Sequence, residues 1–294
     1  MVSNSMEMTA KEVKAVGPWK EAWRSFKKSK AALVGAAIVL FFVFLAVFGP
    51  LFVPQGINDQ NLSVRLLPPS SEYWFGTDDF GRDIFSRIVH GARISLAVGF
   101  LSVILSAVVG SFLGMIAGYY GRWIDTIISR IFDIMLAFPS ILLAIAIVSI
   151  LGPSLQNALI AIAIINIPNF GRLIRSKVLS VKEEEYIVAA RAIGMKDARI
   201  LFRHVLPNSL SPVIVQGTLA IATAIIEAAA LSFLGLGATA PQPEWGKMLS
   251  DARIHIMTAP WTILFPGIAI MLTVLGFNLM GDGLRDALDP KMKN

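Results

Sequence analysis

The sequence contains no cysteine and only three histidines, and these shortages exclude several kinds of site. Without thiols the chain cannot form disulfides, thiolate zinc sites, iron–sulfur clusters or a cysteine nucleophile. His90, His204 and His255 lie far apart along the chain, which argues against a dedicated metal site. The sequence also lacks the phosphate-binding pattern G-x-x-x-x-G-K-S/T, so we do not expect it to bind ATP in that manner. We predict no catalytic residue, no metal and no cofactor bound by this chain.

Charge is scarce as well, because Asp, Glu, Lys and Arg make up only 16% of the 294 residues. Apolar residues make up 55% and the mean hydropathy is +0.67, which is too apolar for a water-exposed surface. The net charge of +6 does not predict a nucleic-acid partner, since the basic residues border the apolar runs instead of forming one stripe. The composition therefore predicts an integral protein of the lipid bilayer.

The apolar residues are grouped into separate runs of about 20, the length that crosses ~30 Å of hydrocarbon. Six such runs cover residues 31–53, 94–119, 127–151, 155–170, 211–236 and 263–280. The first run is longer than a signal-peptide core and has no cleavage site after it, so we interpret it as a retained span. The fourth run is the least regular, because Asn157, Asn166 and Pro168 interrupt it. The sequence thus predicts an all-α, polytopic membrane protein with six transmembrane helices.

The basic residues predict the orientation of the chain. With the N-terminus in the cytoplasm, 20 of the 26 Lys and Arg residues lie on the cytoplasmic side, as the positive-inside rule requires. Residues 1–30 then form a cytoplasmic tail, in which Trp19, Trp23 and Phe26 share one face of an interfacial amphipathic helix. We predict an external loop at 54–93, a helical core at 94–284 with a cytoplasmic loop at 172–208, and a cytoplasmic tail at 285–294.

The long cytoplasmic loop has a helical pattern of its own. Ser180 and Glu183 form a capping box, which predicts that a helix begins at this point. The next residues recur at i, i+3, i+4 and i+7 and so share one narrow face with small residues at its centre. These residues are Tyr186, Ala189, Ala190 and Ile193.

A glycine and a proline divide the rest of this loop. Gly194 is expected to end the first helix, because glycine accepts the left-handed conformation of a C-terminal cap. A second short helix should begin near Lys196 and stop before Pro207. Two helices bent at a glycine make a compact knob, which either docks into a partner's cleft or lies on the lipid surface. Spacing alone leaves these two alternatives open.

A polar block with the sequence FGTDDFGRD precedes the second span. Gly76 and Gly81 predict tight turns in this block. We expect its charged residues to form a local ion-pair network, and these are Asp78, Asp79, Arg82 and Asp83. We favour a structural turn or gate element over a calcium site, because the spacing does not match a helix–loop–helix calcium loop.

Glu227 is the only charged residue in the middle of a predicted span. A charge at that depth costs about 2.5–3.5 kcal/mol on insertion scales, so the side chain should face protein or water. It either lines a pore or gate or makes a hydrogen bond between packed helices, and the sequence leaves both readings open.

Five residues of the cytoplasmic loop resemble the EAA-loop signature of ABC importer permeases, in which two alanines precede a glycine and then Leu-Pro. They are Ala189, Ala190, Gly194, Leu206 and Pro207. The sequence departs from the signature at Val188, where the name-giving Glu is usual, and at His204, where an apolar residue is common. These departures put ionic pairing at the Glu position in doubt but keep the helix–glycine–helix geometry.

Three further blocks extend the resemblance over nearly the whole chain. They are FGTDDFGRDIFSRIVHGARISL at 75–96, SFLGLGATAPQPEWGKML at 232–249 and FNLMGDGLRDALDPK at 277–291. With these blocks the chain resembles the C-type permease subunit of dipeptide and oligopeptide importers, an architecture shared with nickel and glutathione importers. The resemblance implies a type I ABC importer permease (MetI-like) fold in the cytoplasmic membrane of a bacterium or archaeon.

The resemblance also implies partners. A second, similar permease would complete the translocation pathway, two cytoplasmic ATPases would hydrolyse ATP and dock on the paired loops, and an external binding protein would deliver the substrate to the loops at 54–95 and 237–261. The residues that the resemblance assigns to ATPase coupling are Glu185, Tyr186, Val188, Ala189, Ala190, Arg191, Gly194, Asp197, His204, Leu206 and Pro207.

Two other functions compete with this interpretation. A self-sufficient secondary transporter or channel would be expected to carry inverted repeats and more ionisable groups in its spans. An intramembrane enzyme would need a nucleophile with a base, or metal ligands, inside the spans, where no histidine lies. We therefore expect a transporter subunit and not an enzyme.

Overall fold

The computed structural model describes residues 18–53 and 56–288, and within these ranges the chain folds into eleven α-helices and no β-strand. The helices are α1 (Pro18–Lys28), α2 (Lys30–Phe52), α3 (Ile84–Tyr120), α4 (Arg122–Ala137), α5 (Ser140–Leu151), α6 (Leu155–Val181), α7 (Glu185–Ala192), α8 (Asp197–Ile200), α9 (Leu206–Phe233), α10 (Trp245–Ala252) and α11 (Trp261–Leu288). The all-α fold predicted from the sequence is confirmed. The predicted tails at 1–17 and 289–294, with the Trp19 side chain, lie outside what is described.

Five helices in the described ranges are long and apolar enough to cross a membrane. They are α2, α3, α6, α11 and a 37-residue helix, Asp197–Phe233, that runs from α8 through a π-helical turn at Leu201–Val205 into α9. We call the end of the bundle where α3, α6 and α11 finish the inner end, and the opposite end the outer end. The Phe26 side chain of α1 packs on Ala287 of α11 at the inner end.

The sixth predicted span is divided between two helices. Helices α4 and α5 pass the same length and hydropathy test only as a pair, and they meet at an angle of 97°. The prediction of one continuous helix over residues 127–151 is therefore wrong, because the chain forms two helices there. The break lies at Phe138, whose backbone is extended, and Pro139, which disfavours helical backbone in the residue before it.

Two spans extend well beyond the apolar runs that predicted them. Helix α3 begins at Ile84, ten residues earlier than expected, because Asp83 caps it by accepting a hydrogen bond from the Ser86 amide at 2.8 Å. Helix α6 continues to Val181 and is the most buried of the long helices. Its interrupting polar groups explain the weak sequence signal, since Asn166 is buried against other helices.

The closest helix contact joins α3 to α6 through a row of glycines. Gly110, Gly114 and Gly118 follow one another at intervals of four residues, so they lie along one ridge of α3. A methyl group on Gly114 would lie 2.1 Å from the carbonyl oxygen of Gly171, and those on Gly110 and Gly118 would also meet α6 carbonyl oxygens, at 2.5 and 2.9 Å. The two backbones therefore touch without intervening side chains, as small-xxx-small patterns allow in membranes.

The connection between α9 and α11 differs from the predicted external loop. It contains α10, whose Trp245 is completely buried and donates its indole N–H to the Ile88 carbonyl at 3.1 Å. Glu244 caps α10 by accepting from the amides of Gly246 and Lys247, and burial raises the pKa of its carboxyl. Nine of the 27 residues between α9 and α11 are buried, so this part of the connection belongs to the core.

We expect a Gly114→Ala substitution to destabilise the protein by about 1–3 kcal/mol, because the new methyl group overlaps the Gly171 carbonyl. Gly217→Ala is the matched control within α9, where a methyl group would only touch Val103 at 3.9 Å. The measurement is the thermal midpoint of each variant in detergent, followed by fluorescence-detected size exclusion. Equal midpoints for the two variants would contradict the backbone contact.

Candidate functional site

The candidate docking segment, residues 184–208, consists of α7, a glycine turn, α8 and the π turn. Gly194 has a φ angle of +80°, which confirms its predicted role as the left-handed end of α7. The predicted capping box is wrong, because Ser180 lies in the last turn of α6 and Glu184 occupies the N-cap of α7. Helix α6 overrides the local signal, since Val178 in the same turn is completely buried.

A small hydrophobic cluster fixes this segment to the inner ends of α3 and α6. Ile187 and Ala190 of α7 point into it, together with Ile200 and Val205. The side chains that receive them from the two long helices are Met115, Tyr119, Ile174 and Val178. The segment therefore packs directly on the inner ends of α3 and α6.

Polar contacts reinforce the same junction. The Tyr119 hydroxyl donates to the Asp197 carboxylate at 2.6 Å, and the Arg191 guanidinium lies over the Tyr119 ring at 5.0 Å. The Lys182 ammonium donates to the Gly118 carbonyl at 3.3 Å. Asp197 and Arg191, both assigned to coupling by resemblance, thus hold the segment on α3.

The opposite face of α7 is free. Three members of the predicted face, Tyr186, Ala189 and Ile193, are exposed, whereas the fourth, Ala190, is buried. Ile193 is 80% and Val188 is 55% exposed. Apolar side chains exposed together mark a surface that binds a partner or lipid.

The helix does not stop before Pro207 as predicted. Pro207 lies in the first turn of α9, and the chain reaches it through a wide turn in which the Leu206 amide donates to the Leu201 carbonyl, five residues back. Proline lacks the amide hydrogen and clashes with the carbonyl four residues before it in an ordinary α-helix. The π turn gives room for the ring, so the helix continues.

Next to this turn, Asn208 links the docking segment to α9. Its side-chain amide donates to the Tyr186 hydroxyl at 3.2 Å and to the His204 carbonyl at 2.7 Å. The His204 ring lies 6.2 Å from the Tyr186 ring. Sequence reasoning missed Asn208, because its partner lies 22 residues away.

Ion pairs also join α4 to α6 near the inner end. Arg175 makes a two-pronged contact with Asp125, with N–O distances of 2.5 and 2.7 Å. Arg172 of α6 pairs with Asp133 of α4 at 2.5 Å, so Asp133 also connects these two helices. Sequence reasoning missed both pairs, because each joins residues about 40 to 50 positions apart.

At the outer end, Asp78 organises the polar block. It accepts hydrogen bonds from the amides of Phe80 and Arg82 and pairs with the Arg82 guanidinium at 2.6 Å. Asp79 lies 3.9 Å from the same guanidinium. The predicted network is confirmed for these charged residues, and Asp83 lies outside it because it caps α3.

The glycines of this block form its tight turns, and burial shifts the pKa of its carboxyl groups. Gly76 and Gly81 have φ angles of +76° and +71°, which confirms the predicted tight turns. Burial, reinforced by the neighbouring Asp78 charge, raises the pKa of the Asp79 carboxyl. Burial also raises the pKa of Asp83. No group of metal-ligating side chains occurs in the described ranges.

The sequence missed one member of the network. Arg87, in the first turn of α3, is 2% exposed and lies 3.6 Å from the Asp78 carboxylate. Its guanidinium also donates to the Ile57 carbonyl at 3.0 Å. A spacing of nine residues between Asp78 and Arg87 carries no signal until the turn folds back on the helix.

Glu227 lies where α9 meets α6, and it is buried. The Asn166 side-chain amide donates to it at 3.2 Å, and Ser140 at the start of α5 also hydrogen-bonds to it. These contacts give Glu227 a helix-packing role. A role in a pore or gate stays a prediction.

The bundle of broken and straight spans, with a two-helix segment packed on its inner end, is the architecture of an ABC importer permease. Residues 110–294 match the family described as the binding-protein-dependent transport system inner membrane component. Residues 17–69 match the N-terminal transmembrane domain of oligopeptide transport permease C. The chain therefore belongs to this family of inner membrane permeases, whose members are transporter components and not enzymes.

Individual relatives agree with this assignment. The dipeptide transport system permease protein DppC of Alkalihalophilus pseudofirmus is 68% identical over 95% of this chain and 92% of its own length. The glutathione transport system permease protein GsiD of Pectobacterium atrosepticum is 49% identical over 94% of this chain and 92% of its own. The inward-facing MetNI methionine ABC transporter shares the fold, with a TM-score of 0.55 and 20% identity over 69% of this chain and 97% of that one.

We expect Asp78→Ala to destabilise the protein by about 3–5 kcal/mol, because it leaves the buried Arg87 guanidinium without its carboxylate. Asp79→Ala is the matched control, and it should cost under about 1 kcal/mol, because its single contact is long and partly exposed. The measurement is chemical unfolding of each purified variant in detergent. Similar losses for both variants would show that Asp78 is not the centre of the network.

Proposed function

We propose that this chain forms half of the translocation pathway of an ATP-driven importer for dipeptides, oligopeptides or related small solutes. A sister permease supplies the other half, and two cytoplasmic ATPases supply the energy. An external substrate-binding protein delivers the cargo. The relatives described above are a dipeptide permease and a glutathione permease, which favours short peptides as the cargo.

The observation that carries this proposal is the continuity between the docking segment and the membrane core. The helix that starts at Asp197 in the segment extends without a break to Phe233 and passes Glu227 on the way. Helices move as rigid bodies, so a displacement of the segment tilts or shifts this span along its whole length. ATP-driven closure of the ATPase pair would act on α7 and reach the pathway through this helix.

The free face of α7 supports the same proposal. Tyr186, Val188 and Ile193 are exposed apolar residues. A cleft in an ATPase subunit would cover them, and Ala189 between them would let that cleft approach closely. We propose that this side is cytoplasmic, with both chain termini, since the orientation places 20 of 26 basic residues there.

The outer end would face the binding protein. The turn around Asp78, with Asp79 and Arg82, holds the start of α3, and α10 fills the space beside it. We propose that these elements form the external gate region, so that the binding protein acts on a rigid rim. Glu227 would stabilise the gate by tying α9 to α6.

The first test is a native purification through a tag on this chain. We expect an ATPase and a second permease to co-purify with the wild-type protein. Ile193→Asp should lose the ATPase and keep the sister permease, because a carboxylate then enters an apolar contact. Ile254→Asp, at a residue 74% exposed near the outer end, is the matched control and should retain both partners. A lone chain that transports by itself would favour a secondary transporter or channel instead.

The second test separates energy coupling from docking. Gly194→Val forces a β-branched residue into the left-handed region, which costs roughly 1–2 kcal/mol or more, although no atom lies within 4 Å of the new side chain. We expect ATP hydrolysis to continue in the assembled complex while uptake falls. Gly194→Asn should retain most uptake, since asparagine tolerates this conformation. Uptake by the Val variant at the wild-type rate would argue against a coupling role.

A further inference from the structure

A cavity of about 640 Å³ lies between the inner ends of α6, α9 and α11. Its polar lining comes from Lys177 of α6, Arg285 of α11, and Asn208, Ser211 and Gln216 of α9. The volume falls within the roughly 300–1,000 Å³ of ordinary small-molecule sites. The cavity is therefore large enough for a small solute.

The charge of this cavity has one sign. Lys177 and Arg285 are its charged lining residues, and neither forms an ion pair with any residue in 18–53 or 56–288. The Arg fork and the Lys ammonium are the two side chains that bind carboxylates and phosphates. The cavity thus fits an anionic group.

The face of α9 that lines the cavity carries three polar residues, Asn208, Ser211 and Gln216, among the apolar Pro212, Val215 and Leu219. Ser211 and Gln216 lie in the cavity wall, and Thr223 and Glu227 follow on the same side of the helix at i+7 and i+11 from Gln216. Polar side chains in a span face protein or a water-filled path. This face is therefore suited to water and solute and not to lipid tails.

A second groove beside α9 provides the contrast. It lies against α3, has a volume of about 310 Å³ and is lined by Phe202, Leu206, Leu210 and other apolar residues. Lipid tails fit such a surface. Helix α9 thus carries both surfaces, and they differ in their lining residues. The polar and cationic lining of the cavity favours a soluble anion over a phospholipid as its occupant.

We infer that this cavity is the inner station of the translocation path and that Lys177 and Arg285 receive the terminal carboxylate of the cargo. This inference rests on the proposed function and adds the chemical class of the group recognised. Both cations are exposed to solvent, so their attraction for the carboxylate is screened and the cargo is held only briefly. Weak binding suits a site from which cargo leaves.

The same cavity contacts the docking segment. Asn208 in its wall donates to the Tyr186 hydroxyl, and Tyr186 lies on the free face of α7. A change in the position of α7 therefore alters the wall of the cavity directly. Occupancy of the cavity and docking of an ATPase would be linked through this one amide.

Because this chain contains no native cysteine, one introduced cysteine can serve as a reporter in the assembled, nucleotide-free complex in nanodiscs, with the wild-type complex giving the background of any thiols in the partner chains. Ser211→Cys places a thiol in the cavity wall. We expect the anionic reagent methanethiosulfonate ethylsulfonate to modify it about tenfold faster than the cationic ethyltrimethylammonium reagent, because the two cations raise the local anion concentration. Adding Lys177→Gln and Arg285→Gln should remove this preference at Ser211→Cys. The same two substitutions should not change the modification rates of Ile254→Cys at the outer end.

Alanyl-alanine provides the ligand arm of the experiment. It should slow modification of Ser211→Cys, whereas alanyl-alanine amide, which lacks the carboxylate, should not. Equal protection by both peptides, or no preference between the reagents, would overturn the inference. A thiol that reacts only after lipid is stripped would also overturn it, by assigning the cavity to a phospholipid headgroup.

The two proposals fail separately. Uptake of alanyl-alanine by the wild-type complex tests the importer function, and an intact wild-type complex that imports nothing contradicts that function. The reagent preference and the carboxylate-dependent protection are measured without uptake. They therefore test the cavity whether or not transport is observed.

Discussion

The direct backbone contact between α3 and α6 is the constraint on which the rest of the structure depends. Gly110, Gly114 and Gly118 bring the two helices together so closely that a single methyl group has no room at any of the three positions. The outer end of α3 carries Asp83 and Arg87, which hold the external turn. Its inner end, with that of α6, receives the docking segment. One pair of helices thus connects the external turn to the docking segment.

Helix α9 meets this pair with two unlike sides, and this difference explains why one helix can serve a path and the membrane. The side toward α3 is apolar around Leu210, while the other side carries Gln216 and leads to Glu227. In a hydrocarbon environment a buried carboxyl persists only with partners, which Asn166 and Ser140 supply. The polar residues of α9 named above therefore either make contacts between helices or line the cavity.

The sequence predicted those features that depend on local chemistry. Hydropathy located the five unbroken spans in the described ranges, and Gly194, Gly76 and Gly81 were correctly assigned to turns, because glycine accepts a positive φ angle. The ends of the helices were less predictable, because they depend on contacts that form in the folded chain. Asp83 caps α3 ahead of the apolar run, and the burial of Val178 continues α6 past the predicted capping box at Ser180. Arg87 and Asn208 could not be found, because their partners become neighbours only in the folded chain.

The contact between the first and last spans has a consequence for how the protein is made. Helix α2 packs on α11 through Gly35, where a methyl group would lie 2.7 Å from the Gly276 carbonyl, and Phe26 packs on Ala287. A ribosome finishes α2 more than 200 residues before it finishes α11. During most of synthesis the first span therefore lacks this neighbour and must reside in the bilayer without it. Its apolar sequence has no charged residue after Lys30, which suits a helix that is inserted before α11 is made. The helix bundle is complete only when α11 has been inserted.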